Sequence, residues 1–186
     1  LAATESGQSL NYAKIARETG LSQPTVKSHY QLLEDMFVGF RVPAFTQSPR
    51  RNLLGHARFY LFDLGVRHAA AGLRPGVDTV LAHPGSCFEQ WVGLELHRGI
   101  GYAGKGSLSY FRTRDGMEID FILGWEDRWI PIEVKWSEHP DPKDARHIKS
   151  FLSEHPENAP RGYVICRCPR PAQLAENVYA LPWWML

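Results

Sequence analysis

From residue 10 to residue 37 the apolar positions recur at helical spacing in two blocks, Leu10, Ala13, Ile15 and Ala16, then Val26, Leu32, Leu33 and Met36. That period predicts two helices with a break between them. Gly20 suits the left-handed position that closes the first, Leu21 can plug the space between the two, and Ser22 can cap the second with Pro24 in its first turn. Together these make a helix-turn-helix signature. A second helix that buries Val26, Leu33 and Phe37 turns Gln23, Thr25, Lys27, Ser28 and Gln31 outward. These are short donors and acceptors with one cation, suited to base edges and phosphates.

Two short apolar runs follow, 37–45 and 57–63, and predict strands around a loop whose tip carries Arg50 and Arg51. Neighbouring arginines on such a tip can neutralise backbone phosphates. The same unit can instead pack against protein, with both arginines as solvated loop charges. Asp63 and Gly72 bracket a third helix, and the Pro and Gly content of 74–86 reads as a linker. The boundary is therefore set near residue 80: a winged helix-turn-helix domain over 1–80 and a second domain over 81–186.

In the second part, Phe88, Trp91, Val92, Leu94 and Leu96 give 86–100 the apolar stripe of an amphipathic helix, with Ser86 as a cap. Glu89 and Glu95 on it are about 600° of rotation apart, so only one can face a given site. A strand over 108–114 leads into GMEIDFILGWEDRWIPIEVK, which reads as a β-hairpin turning at Glu126-Asp127. With Trp125 opposite Arg128, Asp120 stands across from Glu133, and Lys135 shares their face by period-2 alternation. Ile119, Phe121, Ile132 and Val134 take the other face.

Two carboxylates so placed repel by roughly 4 kcal/mol at an effective dielectric near 20. Lys135 offsets part of this, and a hard divalent cation, Mg²⁺ or Mn²⁺, would offset the rest. Such an ion binds a scissile phosphate and activates a water. Lys135 would orient or deprotonate that water, or stabilise the developing charge, and Glu89 would complete the metal ligand set with Asp120 and Glu133. The plainer alternative is a cross-strand ion pair on a solvated sheet face.

Charge and cysteine content narrow the class. A formal net charge of +1 excludes a grossly basic nucleic-acid coat protein. Yet residues 1–60 hold seven Lys/Arg against four Asp/Glu, and residues 61–186 hold fourteen against sixteen. Cys87, Cys166 and Cys168 lack the second pair that a zinc site needs, so they read as reduced thiols. No apolar run reaches the roughly 18 residues of a membrane span, which predicts a cytoplasmic protein without a membrane partner. GIGYAG at 99–104 follows a helix rather than a strand and reads as a glycine-rich turn, and GKGS at 104–107 lacks phosphate-loop spacing, so no ATP site is expected in this chain. His29 and His147 read as surface residues. Lys143, Arg146 and Lys149 either line a nucleic-acid track or form a solvated helix face. The apolar run in RGYVICRC and the tail NVYALPWWML predict two last strands.

Phe88-Glu89 on a helix, then Asp120, then Glu133-Val134-Lys135 resembles the PD-(D/E)xK nuclease superfamily. Glu118-Ile119 stands where the superfamily pattern has Pro before Asp. LNYAKIARETGLSQPTVKSHYQLLEDMF, YLFDLGV, CFEQWVGLEL, YFRTRDGMEIDFIL, IPIEVK, GYVI and ALPWW together resemble the uncharacterised C-terminal domain of predicted prokaryotic AAA-type ATPases. The resemblance implies an α/β chain: a winged helix-turn-helix, then a restriction-endonuclease-like mixed sheet flanked by helices, with an ATPase core upstream. It puts Glu89, Asp120, Glu133 and Lys135 on metal and catalytic positions. The expected role is a DNA-binding, nuclease-like module of an AAA-type ATPase, acting as a metal-dependent DNA endonuclease. The alternative is a non-catalytic DNA- or protein-binding module serving the ATPase. Expected partners are DNA and the upstream ATPase domain, with assembly into a homo-oligomer left open.

Overall fold

The structure, a computed structural model, describes residues 1–47 and 55–186. It is a mixed α/β protein that divides into two compact units, Leu1–Pro43 with His56–His83, and Ala44–Gly55 with Pro84–Leu186. The division falls close to residue 80, and Ala44 to Gln47 go with the second unit.

In unit 1, α1 (Tyr12–Thr19) and α2 (Gln23–Asp35) are joined by a three-residue turn. Gly20 takes φ +72°, and Ser22 Oγ accepts the Thr25 N–H at 3.2 Å. Strands β1 (Gly39–Val42) and β2 (Arg58–Leu61) pair antiparallel, Gly39 opposite Leu61. Helix α3 (Leu64–Ala70) is capped by Asp63, which accepts from Val66 N–H at 2.8 Å. The segment expected to be a linker contains a short helix, α4 (Val77–Ala82).

The core of this unit is Leu10, Ile15, Val26, Tyr30, Phe59 and Leu61. It corrects two expectations. Leu21 does not plug it, being 41% exposed, and Phe37 does not join it, being 85% exposed. Helix α2 ends at Asp35, and Phe37 takes φ +57° to turn the chain into β1, which sends its side chain outward. Tyr30, one turn after Val26, fills the place instead and meets Phe59 edge-on at 4.9 Å.

Unit 2 is built on a six-stranded sheet in the order β3-β4-β5-β6-β8-β7. Helix α5 runs from Pro84 to Ala103, so Ser86 lies in its first turn rather than at its cap, and Gly99 and Gly101 are helical rather than in a turn. Only Gly104 (φ +66°) breaks out into the left-handed region. The strands β3 (Ser107–Arg112), β4 (Glu118–Trp125) and β5 (Arg128–Lys135) form an antiparallel meander. The β4–β5 hairpin has the expected register, with Phe121 opposite Ile132 and Trp125 opposite Arg128. Helix α6 (Arg146–Glu154) then crosses to β6 (Gly162–Cys166), which pairs parallel with β5. Pro131 sits just before that parallel ladder begins at Ile132, where its missing N–H has no partner to lose. β8 (Val178–Pro182) pairs parallel with β6, and β7 (Ala172–Ala175), a strand the pattern did not predict, lies antiparallel at the edge.

One irregularity matters for the site. Ser109 pairs with Ile122 but Phe111 pairs with Ile119, so Asp120 and Phe121 together oppose Tyr110. An extra residue in one strand is a β-bulge, which bends the strand and re-aims its side chains. Ile119 therefore does not share a face with Phe121, as strict alternation predicts. Ile119 packs with Phe111, Ile122 and Phe151 of α6. Phe121 instead reaches Gly93 of α5, its Cζ 2.8 Å from where a Cβ would stand.

Candidate active site

Glu133 and Lys135 stand two residues apart on β5, so their side chains leave the sheet on one face. Lys135 Nζ donates to Glu133 Oε2 at 3.2 Å. Asp120 arrives from the bulge on β4. Its Oδ2 accepts the Val134 N–H at 2.8 Å, and its carboxyl shares a hydrogen bond with that of Glu133. The hairpin register thus brings Asp120, Glu133 and Lys135 together.

Their electrostatics are not those of a solvated ion pair. Glu133 is only 5% exposed. Burial pushes its carboxyl up, the charge and hydrogen bond of Asp120 push it further, and Lys135 pulls back, leaving it at about 9. For Lys135, burial alone would lower the amine, but Glu133 and Asp120 outweigh it and the net shift is upward. At neutral pH the acid pair holds a proton and the amine stays charged. A hard cation in place of that proton would satisfy the same oxygens. Two of the three expected ligands fit that role. Among the described residues, no three His, Cys, Asp or Glu side chains are gathered so as to hold a metal ion. Glu89, half-buried on α5, is not brought into a set with Asp120 and Glu133.

Another residue is at the site that the sequence placed on the surface. His147 Nδ1 donates to the Glu118 carbonyl at 2.7 Å and lies 3.7 Å from Glu133 Oε1. With its proton on Nδ1, Nε2 is free to accept from Arg146 Nη2 at 3.0 Å. The available signal was helical spacing: His147 lies one turn before Phe151, on the inward stripe of α6. A cleft of about 680 Å³ opens beside the pair, lined by Glu133, Lys135, Asp144 and His147 together with Lys143, Arg146 and Lys149.

On unit 1, Gln23, Lys27 and Ser28 are exposed along α2, and Thr25 is half-buried with its hydroxyl 2.8 Å from that of Ser22. Gln31 is occupied at both ends of its amide, donating to Asp35 at 3.0 Å and accepting from Arg41 at 3.1 Å. Arg50 and Arg51 lie outside the described residues. Among the described residues no helix is long and apolar enough to cross a membrane.

Residues 84–186, the helix and sheet that carry this site, match the model of a domain of unknown function, DUF4143. The chain belongs to the DUF4143 family. Residues 1–76 match a second domain of unknown function, DUF8612, and the DUF4143 match begins at residue 84, where the chain passes from unit 1 to unit 2. The chain is also 23% identical over 121 residues to an isoleucine–tRNA ligase of Prochlorococcus marinus (strain NATL2A), across 65% of this chain and 12% of that protein. No solved structure matches it. Within this DUF4143 chain, Asp120, Glu133, Lys135 and His147 all fall inside the matched stretch.

Proposed function

We propose that unit 2 is a metal-dependent phosphodiesterase acting on DNA, and that unit 1 is a winged helix that holds the DNA. In this reading the chain is the nuclease-like end of an AAA-type ATPase. The observation that carries it is the buried carboxyl of Glu133 set against the half-buried Asp120 and a charged Lys135, with Glu133 and Lys135 lining a cleft rich in cations. A structural ion pair would not need a second acid pressed against the buried one. The mixed sheet flanked by helices agrees with the nuclease-like fold that the resemblance implies.

Asp120 and Glu133 would hold Mg²⁺ or Mn²⁺, which supplies Lewis-acid polarisation of the phosphate and a more acidic water. Glu133 leaves its second oxygen to Lys135, so the ammonium is held within reach of the same point. Held charged, Lys135 would stabilise the negative charge that grows on phosphorus-bound oxygens as the water oxygen, its proton released to solvent, bonds to phosphorus and the ester oxygen leaves and takes up a proton from solvent. His147 stands 3.7 Å from Glu133 Oε1 on the α6 side.

A second reading has support in one finding: the described residues gather a pair of acids and not a trio. There the chain is a non-catalytic DNA- or protein-binding module that serves the ATPase. One experiment separates the two. Purified protein with Mg²⁺ or Mn²⁺ is assayed on plasmid, junction and flap DNA, beside calorimetric titration of metal into wild type and Asp120→Ala. Nicking and a metal isotherm, both lost in Asp120→Ala, support the phosphodiesterase. Their absence from the wild type leaves the binding module.

A further inference from the structure

Residues 84–186 carry twelve Lys/Arg against fourteen Asp/Glu. Four of those twelve cations, Lys135, Lys143, Arg146 and Lys149, nevertheless line one cleft, against two acids, Glu133 and Asp144. Asp144 turns one oxygen back to the Asp141 N–H at 2.9 Å. Lys143, Arg146 and Lys149 are exposed, and among the described residues none of them is ion-paired. Like charges spaced three residues apart on one helical face repel each other, and nothing in the fold is stabilised by grouping them. A polyanion would be.

We propose that this cleft docks a single strand of nucleic acid, with Lys143, Arg146 and Lys149 gripping successive phosphates and delivering one phosphodiester to Asp120, Glu133 and Lys135. The choice of a phosphodiester ligand rests on the reading given under Proposed function, while the docking itself requires neither metal nor cleavage.

The dimensions favour one strand. Lys143 lies in a 3-10 turn over Pro142–Ala145 that runs into α6. From Lys143 to Lys149 the rise is about 10 Å, from roughly 2 Å per residue in the 3-10 turn and 1.5 Å in the helix. That span reaches two to three nucleotides. The cleft's 680 Å³ corresponds to a box about 9 Å on edge, narrower than even the roughly 12 Å major groove of a duplex. The surface also continues. Lys149 lines a second cleft of about 360 Å³ with Leu152, Ser153, Pro156, Asn177 and one acid, Glu176. A mononucleotide would occupy the first cleft alone, whereas a strand uses both.

The test is fluorescence anisotropy of a labelled 12-nucleotide single strand with the full chain in EDTA, across a salt series. The three side chains are exposed, so their loss leaves the core intact. Lys143→Ala with Arg146→Ala and Lys149→Ala is expected to weaken binding at least tenfold. The slope of log affinity against log salt should fall by about 2, at roughly 0.7 per phosphate for single strands. The variant Lys143→Arg with Lys149→Arg is expected to bind as the wild type does, and a duplex of the same sequence to lose less than the single strand. Unchanged affinity and slope in the triple alanine variant overturn the proposal, as does an equal loss for the duplex. A strand affinity that falls in this variant, in a wild type that cuts nothing with Mg²⁺, upholds the docking and refutes the phosphodiesterase.

Discussion

Replacing Glu133 by Gln should stabilise unit 2 at neutral pH. The wild-type carboxyl moves from an ordinary 4.5 to about 9 on folding. Between those values the native state holds a proton that the unfolded chain has released, so stability falls as pH rises. The cost is absent below the lower value, grows at about 1.4 kcal/mol per pH unit, and levels off above the upper one. At pH 7 it reaches on the order of 3 kcal/mol. Gln cannot ionise, keeps the shape and can still accept from Lys135, but its amide N–H replaces the stronger O–H bond that protonated Glu133 shares with Asp120. That loss is roughly 1–2 kcal/mol, leaving a net gain of about 1–2 kcal/mol. All six tryptophans lie between residues 91 and 184, so tryptophan fluorescence during urea unfolding reports unit 2 alone. In EDTA at pH 7 the variant's midpoint should rise by about 0.5–1 M, at a slope of roughly 2 kcal/mol per M. From pH 5 to pH 8 the wild-type midpoint should fall steadily relative to that of the variant, a comparison that cancels the opposite contribution of His97, held low by burial. A wild-type profile parallel to the variant's, or a variant less stable than the wild type at pH 8, would show that Glu133 is not a buried acid sharing a proton with Asp120.

Three further substitutions probe other parts of the structure. A Cβ on Gly162 would strike Ile148 Cγ2 and stand 3.0 Å from the Pro131 carbonyl oxygen, so Gly162→Ala should destabilise unit 2 by about 1–3 kcal/mol in the same urea assay. A change within 0.5 kcal/mol of zero would contradict the packing of α6 on β6. Ser22→Ala removes the acceptor of the Thr25 N–H and should cost unit 1 about 1 kcal/mol, read by hydrogen exchange along α2, with Ser22→Asp restoring it. Equal protection in both variants would refute the cap. If the proposed DNA contact holds, Arg50→Ala with Arg51→Ala should weaken duplex DNA binding and reduce its salt slope by about 2, and an unchanged slope would remove these two arginines from it.

Local chemistry was legible from the chain itself. Gly20, Ser22 and Asp63 work where their side chains and backbone freedom suit them, because a cap depends only on residues within one turn. The β4–β5 register followed from a two-residue turn, since antiparallel pairing is counted outward from it. That count alone placed Asp120 beside Glu133 and Lys135.

Other features depended on partners distant in sequence. The bulge at Asp120 and Phe121 exists only relative to Tyr110 on β3, so no period within β4 could reveal that Ile119 and Phe121 part company. Phe37 looked like a core residue until the end of α2 and a left-handed backbone turned it outward. The parallel pairing of β5 with β6 is set by the α6 crossover, and it is this crossover that brings His147 to Glu133 and the basic face of α6 to the acid pair. The sequence by itself determined which side chains are candidates for the chemistry and how two of the strands align, because those are short-range matters of period and turn. Only the tertiary structure decided which acids are gathered, which are left apart, and what charge surrounds them, because burial and long-range packing set the dielectric and the distances on which that chemistry depends.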